Sequence, residues 1–326
     1  LGLYRSMRQS APEGRFDTIV IGTGIAGMTV GAALGKTGQR VLLLEQHFAP
    51  GGMTQCFGRH GYRWDAGVHC LGEQGPNDVA GKLVRWLTDG ALEMRRLPET
   101  YERFHFPDGH EVTYEANAAH FRDHLITAFP HEERGIRRYF RLLPQVFDVA
   151  RPFYALKATP LWLNRFVGKT CGWLWRRHWS RTTREVMDEL FVDERLKSVL
   201  SAQWGYYGSP PSRSSFGMHA MLAKHFFEGA YYPVGGAESF ARCFLDTVRR
   251  NGGETYVRAV VTAITFDGGR ATGVELEDGR RIEATRVVSA IGARNTLRLL
   301  PARCRDTDWA RSIDGVTTSP AYLCLN

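Results

Sequence analysis

Three glycines, Gly22, Gly24 and Gly27, stand at G-x-G-x-x-G spacing, and a carboxylate, Glu45, follows 18 residues after the last of them. Nothing in that set is a nucleophile. What it offers is backbone. Gly22 permits a tight turn, Gly24 lets main chain approach a pyrophosphate, and Gly27 lets a helix lie close to a strand with its positive end toward the phosphates. Ile25 and Ala26 open that helix. Glu45 can accept hydrogen bonds from a ribose and would repel a 2′-phosphate, which argues against NADP. The glycine spacing alone is a weak signal, because glycines also pack helices; the strand before it and the acid after it give it weight. Directly behind come Gln46 and HFAPGGMTQC, residues 47 to 56. The Gly51-Gly52 doublet, with Met53 and Thr54 after it, would bring further N–H groups to the flavin side of a longer cofactor. Its other reading is a plain turn.

The remaining candidates are sparser. His69 and Asp65 are polar residues that follow the glycine doublet closely, and either could orient a substrate or relay a proton. Both also suit satisfied structural roles. Tyr206, Tyr207, Tyr231 and Tyr232 could line an apolar tunnel or simply pack. No G-x-S-x-G and no Ser-His-Asp constellation is present, so acyl-transfer chemistry finds no support. The six cysteines form no C-x-x-C pair, which argues against a zinc or redox motif and for free thiols in a reducing, cytoplasmic compartment. No metal is expected. There is no second G-x-G-x-x-G, so electrons would enter or leave through a quinone, oxygen or a separate reductase.

One stretch fits none of this chemistry. CGWLWRRHWSR, residues 171 to 181, holds three tryptophans and three arginines. It lies in a window, Val149 to Arg184, that has eight Lys and Arg and no Asp or Glu, equal to the whole net charge of +8. Tryptophan prefers the membrane interface and cations meet anionic headgroups, so peripheral membrane association through about residues 151 to 184 is the expectation. A soluble helix is the plainer alternative. Nucleic acid, which aromatics and arginines also bind, lacks any recognisable module here and is not expected.

The elements that must position these residues read as follows. Asp17 to Ile21 is a buried parallel strand, Gly27 to Lys36 a helix ending near Gly38, and Arg40 to Leu44 a second buried strand, together a βαβ unit. The uncharged run Thr18 to Gly35 is long enough to raise a membrane span, but five glycines and its division into strand and helix reject it. Residues 76 to 225 are rich in aromatics, His and Arg with helical periods, and Glu185 to Ala202 reads as one helix. Ser239 to Arg250 is an amphipathic helix closed by Asn251-Gly252. Thr255 to Phe266, Ala271 to Glu277 and Arg281 to Ser289 read as three strands, turned by DGGR and EDGR.

Phe16 to His69, including GYRWDAGVH at 61 to 69, resembles the FAD-binding start of the phytoene desaturase, carotenoid isomerase and retinol saturase group. SFGMHAMLAKHFFEGAYYPVGGAESF at 215 to 240, then VRAVVTAI and RVVSAIGARNT, resembles the retinol saturase branch in order and spacing. The two blocks cover a little under half the chain; residues 76 to 200 match only loosely. The resemblance implies that Gly22, Gly24, Ile25, Ala26, Gly27, Glu45 and Gln46 hold the ADP half of FAD, and that Gly51, Gly52, Met53 and Thr54 hold its pyrophosphate and ribityl side. It implies that the Val261 backbone meets the adenine and that Ala290 begins a loop returning to the cofactor. Tyr232, in the Tyr232 to Gly236 link beside the flavin, joins His69 and Asp65 as a catalytic candidate. Family members are longer and carry another glycine-rich FAD segment, so the strand-like SPAYLCLN at the end reads as a cut element.

The expected fold is α/β, a discontinuous Rossmann-type FAD-binding domain with an inserted α+β substrate domain. Its parts would be 15–75, 226–300 for the FAD domain, 76–225 for the substrate and membrane-facing domain, and 301–326 for a returning segment. The expected function is an FAD-dependent oxidoreductase acting on carbon–carbon bonds of a lipophilic polyene or isoprenoid, by saturation, desaturation or flavin-assisted isomerisation. The rivals are an amine-oxidase-like flavoenzyme and a non-catalytic prenyl-binding carrier on the same fold, the latter disfavoured by the intact glycines and Glu45.

Overall fold

The computed structural model describes residues 2–157, 159–160, 163–164, 167 and 179–318. The end of the chain from 319, and with it the strand expected there, lies outside them, as does most of the Trp- and Arg-rich stretch at 171–181.

A seven-stranded sheet organises the chain. Its strands are β1 (Arg5–Ser6), β2 (Phe16–Ile21), β3 (Val41–Leu44), β4 (Glu254–Val257), β5 (Val261–Asp267), β6 (Arg270–Leu276) and β7 (Arg281–Ser289), in the spatial order β1-β4-β3-β2-β7-β6-β5. From β1 to β7 the neighbours run parallel; β5, β6 and β7 form an antiparallel meander. The composition explains the division. All four residues of β3, VLLL, are buried, as a parallel strand covered on both faces requires. Between β5 and β6 both Gly268 and Gly269 have positive φ, the backbone that a two-residue hairpin turn needs.

Helix Ile25–Lys36 covers one face of the sheet beside helix Glu238–Arg250. A Cβ on Gly31 would stand 2.9 Å from Leu43, so the small residue sets how close helix and sheet lie. Val20, Met28, Leu43, Phe244 and Val248 fill that side. Phe16, Ile19, Leu42, Tyr256 and Val274 fill the other. A third core lies in the middle of the chain, where helices 118–128, 133–157, 183–190, 194–201 and 216–225 gather around Tyr114, Tyr139, Leu143, Leu196 and Phe216. A seam joins it to the sheet side. Leu71 and Tyr231 exchange backbone hydrogen bonds of 2.9 and 2.7 Å, and strand Tyr231–Pro233 pairs with Met94–Arg96.

Two elements differ from the sequence reading. The helix expected over Glu185 to Ala202 is two helices, Thr183–Leu190 and Glu194–Ser201. Asp193 caps the second by accepting from the Leu196 N–H at 3.0 Å, and Glu132 takes the N–H groups of Val192 and Asp193 at 2.6 Å each. Capping chemistry outweighs the helical period there. The strand expected over Thr255 to Phe266 is also two, broken at Arg258–Val260, so that its first half joins the parallel strands and its second the meander. Among the described residues no helix is long and apolar enough to cross a membrane.

Candidate functional site

The turn after β2 is built as its glycines require. Gly22 has φ 93°, and a Cβ on it would meet Ile291 at 2.9 Å. A Cβ on Gly27 would lie 2.0 Å from the Gly22 carbonyl oxygen, a distance no side chain survives. Around Gly24 the situation reverses: nothing stands within 4 Å of its absent Cβ. The turn is therefore packed on two sides and open on the third. Helix Ile25–Lys36 begins at that opening with no side-chain cap and no acid in its first turn. Its unpaired N–H groups and positive end face outward, which suits a phosphate.

Glu45 ties this turn to the next one. It is 8% exposed, and its Oε2 accepts from the Thr23 N–H at 3.0 Å and the Thr23 hydroxyl at 2.6 Å. Oε1 accepts from the His47 N–H at 2.9 Å. The Thr23 hydroxyl oxygen in turn accepts from the Gly51 N–H at 3.1 Å. Three of the roughly four acceptor positions of the carboxylate are thus used inside the protein. Gly51 has φ 116° and Gly52 φ 56°, and a Cβ on Gly52 would meet the Gly24 Cα at 3.0 Å. The doublet is more than a plain turn: it abuts the fingerprint loop. Met53 is 70% exposed beside it, whereas Thr54 is buried and donates to the Gly51 carbonyl at 2.8 Å. Ala290 lies on the far side of the turn, its N–H on the Ile21 carbonyl at 2.9 Å. Val261 opens β5 and Gln46 follows Glu45; at Gln46 lies a cleft of about 760 Å³, lined also by Met7, Arg8, Arg258, Ala259, Val260, Leu276, Glu277, Asp278 and Arg280. Open backbone, an uncapped helix end, a buried carboxylate and an adjoining cleft of that size fit a dinucleotide.

Of the three catalytic candidates two are in contact, and the Tyr232 hydroxyl also lies 3.3 Å from the carbonyl of Val68, the residue before His69. Asp65 and Tyr232 meet directly, the tyrosine hydroxyl donating to Asp65 Oδ2. The same carboxylate accepts from the Ala237 N–H at 3.0 Å and from the Cys56 thiol at 2.6 Å. Burial would raise the Asp65 pKa, but these donors and Arg63 outweigh it and hold the carboxyl below its ordinary value. Burial, then the Asp65 carboxylate, push Cys56 up to about 11 and Tyr232 upward too. The Asp65 carboxylate thereby fastens the hairpin Cys56–Asp65 to the link before helix Glu238–Arg250. His69 stands apart. It is exposed, and its ring stacks on Tyr206 with centroids 4.1 Å apart and planes 15° from parallel. The Tyr206 hydroxyl donates to Glu102 at 2.5 Å.

Of the two readings of the four tyrosines, tunnel lining or packing, their contacts fit packing. Tyr231 and Tyr232 are strand residues at the seam, and Tyr207 bonds to His219 at 3.4 Å. The aromatic cavity is lined by others, among them Tyr101, Tyr114, Phe121, Tyr139, Phe140 and Phe227, and its volume is only about 20 Å³. Thr23, Cys56, Glu102 and Ala237 are functional neighbours that the sequence reading missed. Thr23 carried a signal, since a hydroxyl inside the fingerprint can reach the acid that ends the next strand. The others are brought in by tertiary contacts alone.

A model of the family "flavin containing amine oxidoreductase" matches residues 25–321. All-trans-retinol 13,14-reductase of Homo sapiens is 32% identical over 90% of this chain and 50% of its own length. Prolycopene isomerase 1 of an Oncidium hybrid cultivar is 28% identical over 84% of this chain and 48% of its own. The chain spans about half the length of these curated relatives. An oxidoreductase structure from Methanosarcina mazei superposes with a TM-score of 0.66 at 18% identity, covering 92% of this chain and 65% of that one, which shows a shared fold.

Proposed function

We infer the function from one premise: the chain belongs to the flavin-containing amine oxidoreductase family. FAD is the cofactor, and the single observation that carries its placement is the bracket of Glu45, Thr23 and Gly51 beside the open Gly24. FAD supplies the redox chemistry, and the residues here bind, orient and shield it. Main chain at Gly24 to Gly27 would hold the pyrophosphate, Glu45 the ribose with its remaining acceptor position, and Gly51 to Thr54 the flavin side. The backbone near Val261 would meet the adenine, and the loop from Ala290 would close over the turn.

The substrate class follows from the relatives named for retinol reduction and prolycopene isomerisation. We take the reaction to be a change at carbon–carbon bonds of a lipophilic polyene or isoprenoid. His69, exposed and oriented by Tyr206, is the proton-relaying candidate of this reading; Asp65 and Tyr232 position the link beside it. Peripheral membrane attachment through the acid-free window from Val149 to Arg184 would give such a substrate direct entry from the bilayer. The test uses the full-length protein. It should be purified yellow, release FAD on denaturation by absorbance and mass, and exchange electrons anaerobically with a polyene. Colourless protein would overturn the cofactor, and flavin inert to polyenes but reduced by amines would overturn the substrate. Sedimentation with anionic vesicles that is unchanged when Trp173, Trp175, Arg176 and Arg177 are replaced by Ser would remove the membrane anchor.

A further inference from the structure

We propose that Arg258 is a binding residue for the adenosine half of the dinucleotide, its guanidinium set by a left-handed backbone to lie against the base. The inference rests on the cofactor reading above. Arg258 has φ 55°. Two of the other left-handed residues have ordinary reasons: His60 and Asp89 precede glycines in a hairpin turn and a helix end. Arg258 lies between Val257 and Ala259, at the break that splits the expected strand in two. Nothing there requires a side chain, and a glycine would adopt the conformation without strain. Strain retained beside an open cleft is the form that functional positions take.

The backbone around Arg258 is locked to the cofactor loop. Its N–H donates to the His47 carbonyl at 2.9 Å, and the Ala259 N–H to the Glu45 carbonyl at 2.8 Å. The side chain is left exposed along the 760 Å³ cleft next to Gln46. Among the described residues it makes no ion pair, whereas Arg280 across the cleft is tied to Asp278. Among the described residues its aromatic neighbour is Phe48, itself 60% exposed, whose ring centroid is 5.9 Å from the guanidinium. A planar cation that lines the cleft and makes no ion pair suits the π face of a purine.

The substitution Arg258→Gly separates binding from structure because the two predict opposite signs. Relief of the left-handed strain should raise the melting temperature of the flavin-free full-length protein. Loss of the guanidinium should weaken FAD roughly ten-fold while leaving FMN, which lacks the adenosine, unchanged. Titration of flavin-free parent and variant with FAD and FMN, followed by flavin fluorescence, reads both. Equal FAD affinity in parent and variant would overturn the inference and leave the cofactor reading standing, as would an equal loss for FAD and FMN. A parent that binds no FAD would overturn both.

Discussion

The turn at Gly22 to Gly27 and the aromatic core around Tyr139 solve different problems. The turn is built from main chain and leaves one side open, so its side chains are small because larger ones would occupy the ligand's place or clash with the strand. The middle core is built from side chains, closes to about 20 Å³, and bonds buried polar groups to one another, as where the Tyr139 hydroxyl meets His219 at 2.7 Å. A change in the first region should therefore be felt by the cofactor, and one in the second by stability.

The largest expected effect sharpens that contrast. Leu143 is fully buried, and Leu143→Ala should cost about 2–5 kcal/mol of stability with unaltered FAD affinity in the protein that remains folded. Denaturant melts paired with FAD titration check it; weakened FAD binding in the folded fraction would show the two regions to be coupled. His219 gives the next effect. Burial lowers its pKa to about 4, so between pH 6.5 and 4 the unfolded state binds the extra proton. Stability is fully present above the unfolded value and falls as pH drops through this window, by on the order of 3 kcal/mol. A His219→Gln variant should lose that part of the slope in melts run from pH 4 to 7.

On the cofactor side, Glu45→Ala should weaken FAD retention by about 1.5–3 kcal/mol, through the lost ribose contact and the released Thr23 and Gly51. Dialysis against flavin-free buffer measures it, and retention equal to the parent would take Glu45 out of the site. The smallest effect belongs to the anchor between the regions. Asp65→Asn keeps an acceptor but loses charge, so a stability loss of about 1 kcal/mol is expected. The more sensitive readout is Cys56: without the adjacent carboxylate its thiol should alkylate faster at pH 8, and an unchanged rate would mean that burial alone protects it.

The sequence by itself determined the βαβ unit, the fingerprint turn and the carboxylate after it, because each depends on residues within about thirty positions and on backbone rules that hold in any fold. Gly22, Gly27 and Gly51 were legible for the same reason: the need for a glycine is local. Tertiary structure alone decided what the polar residues do. In sequence Asp65 suits a proton relay and a structural anchor equally, and only the contacts with Tyr232 and Ala237, some 170 positions away, show how its carboxylate is held. The tyrosines read as tunnel lining or packing alike until the seam and His219 are seen to hold them. The strand from Thr255 reads as continuous because its period is unbroken, and only the bonds from Arg258 and Ala259 to the Glu45 loop bend it. Side-chain roles depend on which distant partner arrives first to satisfy each donor and acceptor, and spacing along a chain does not encode that meeting.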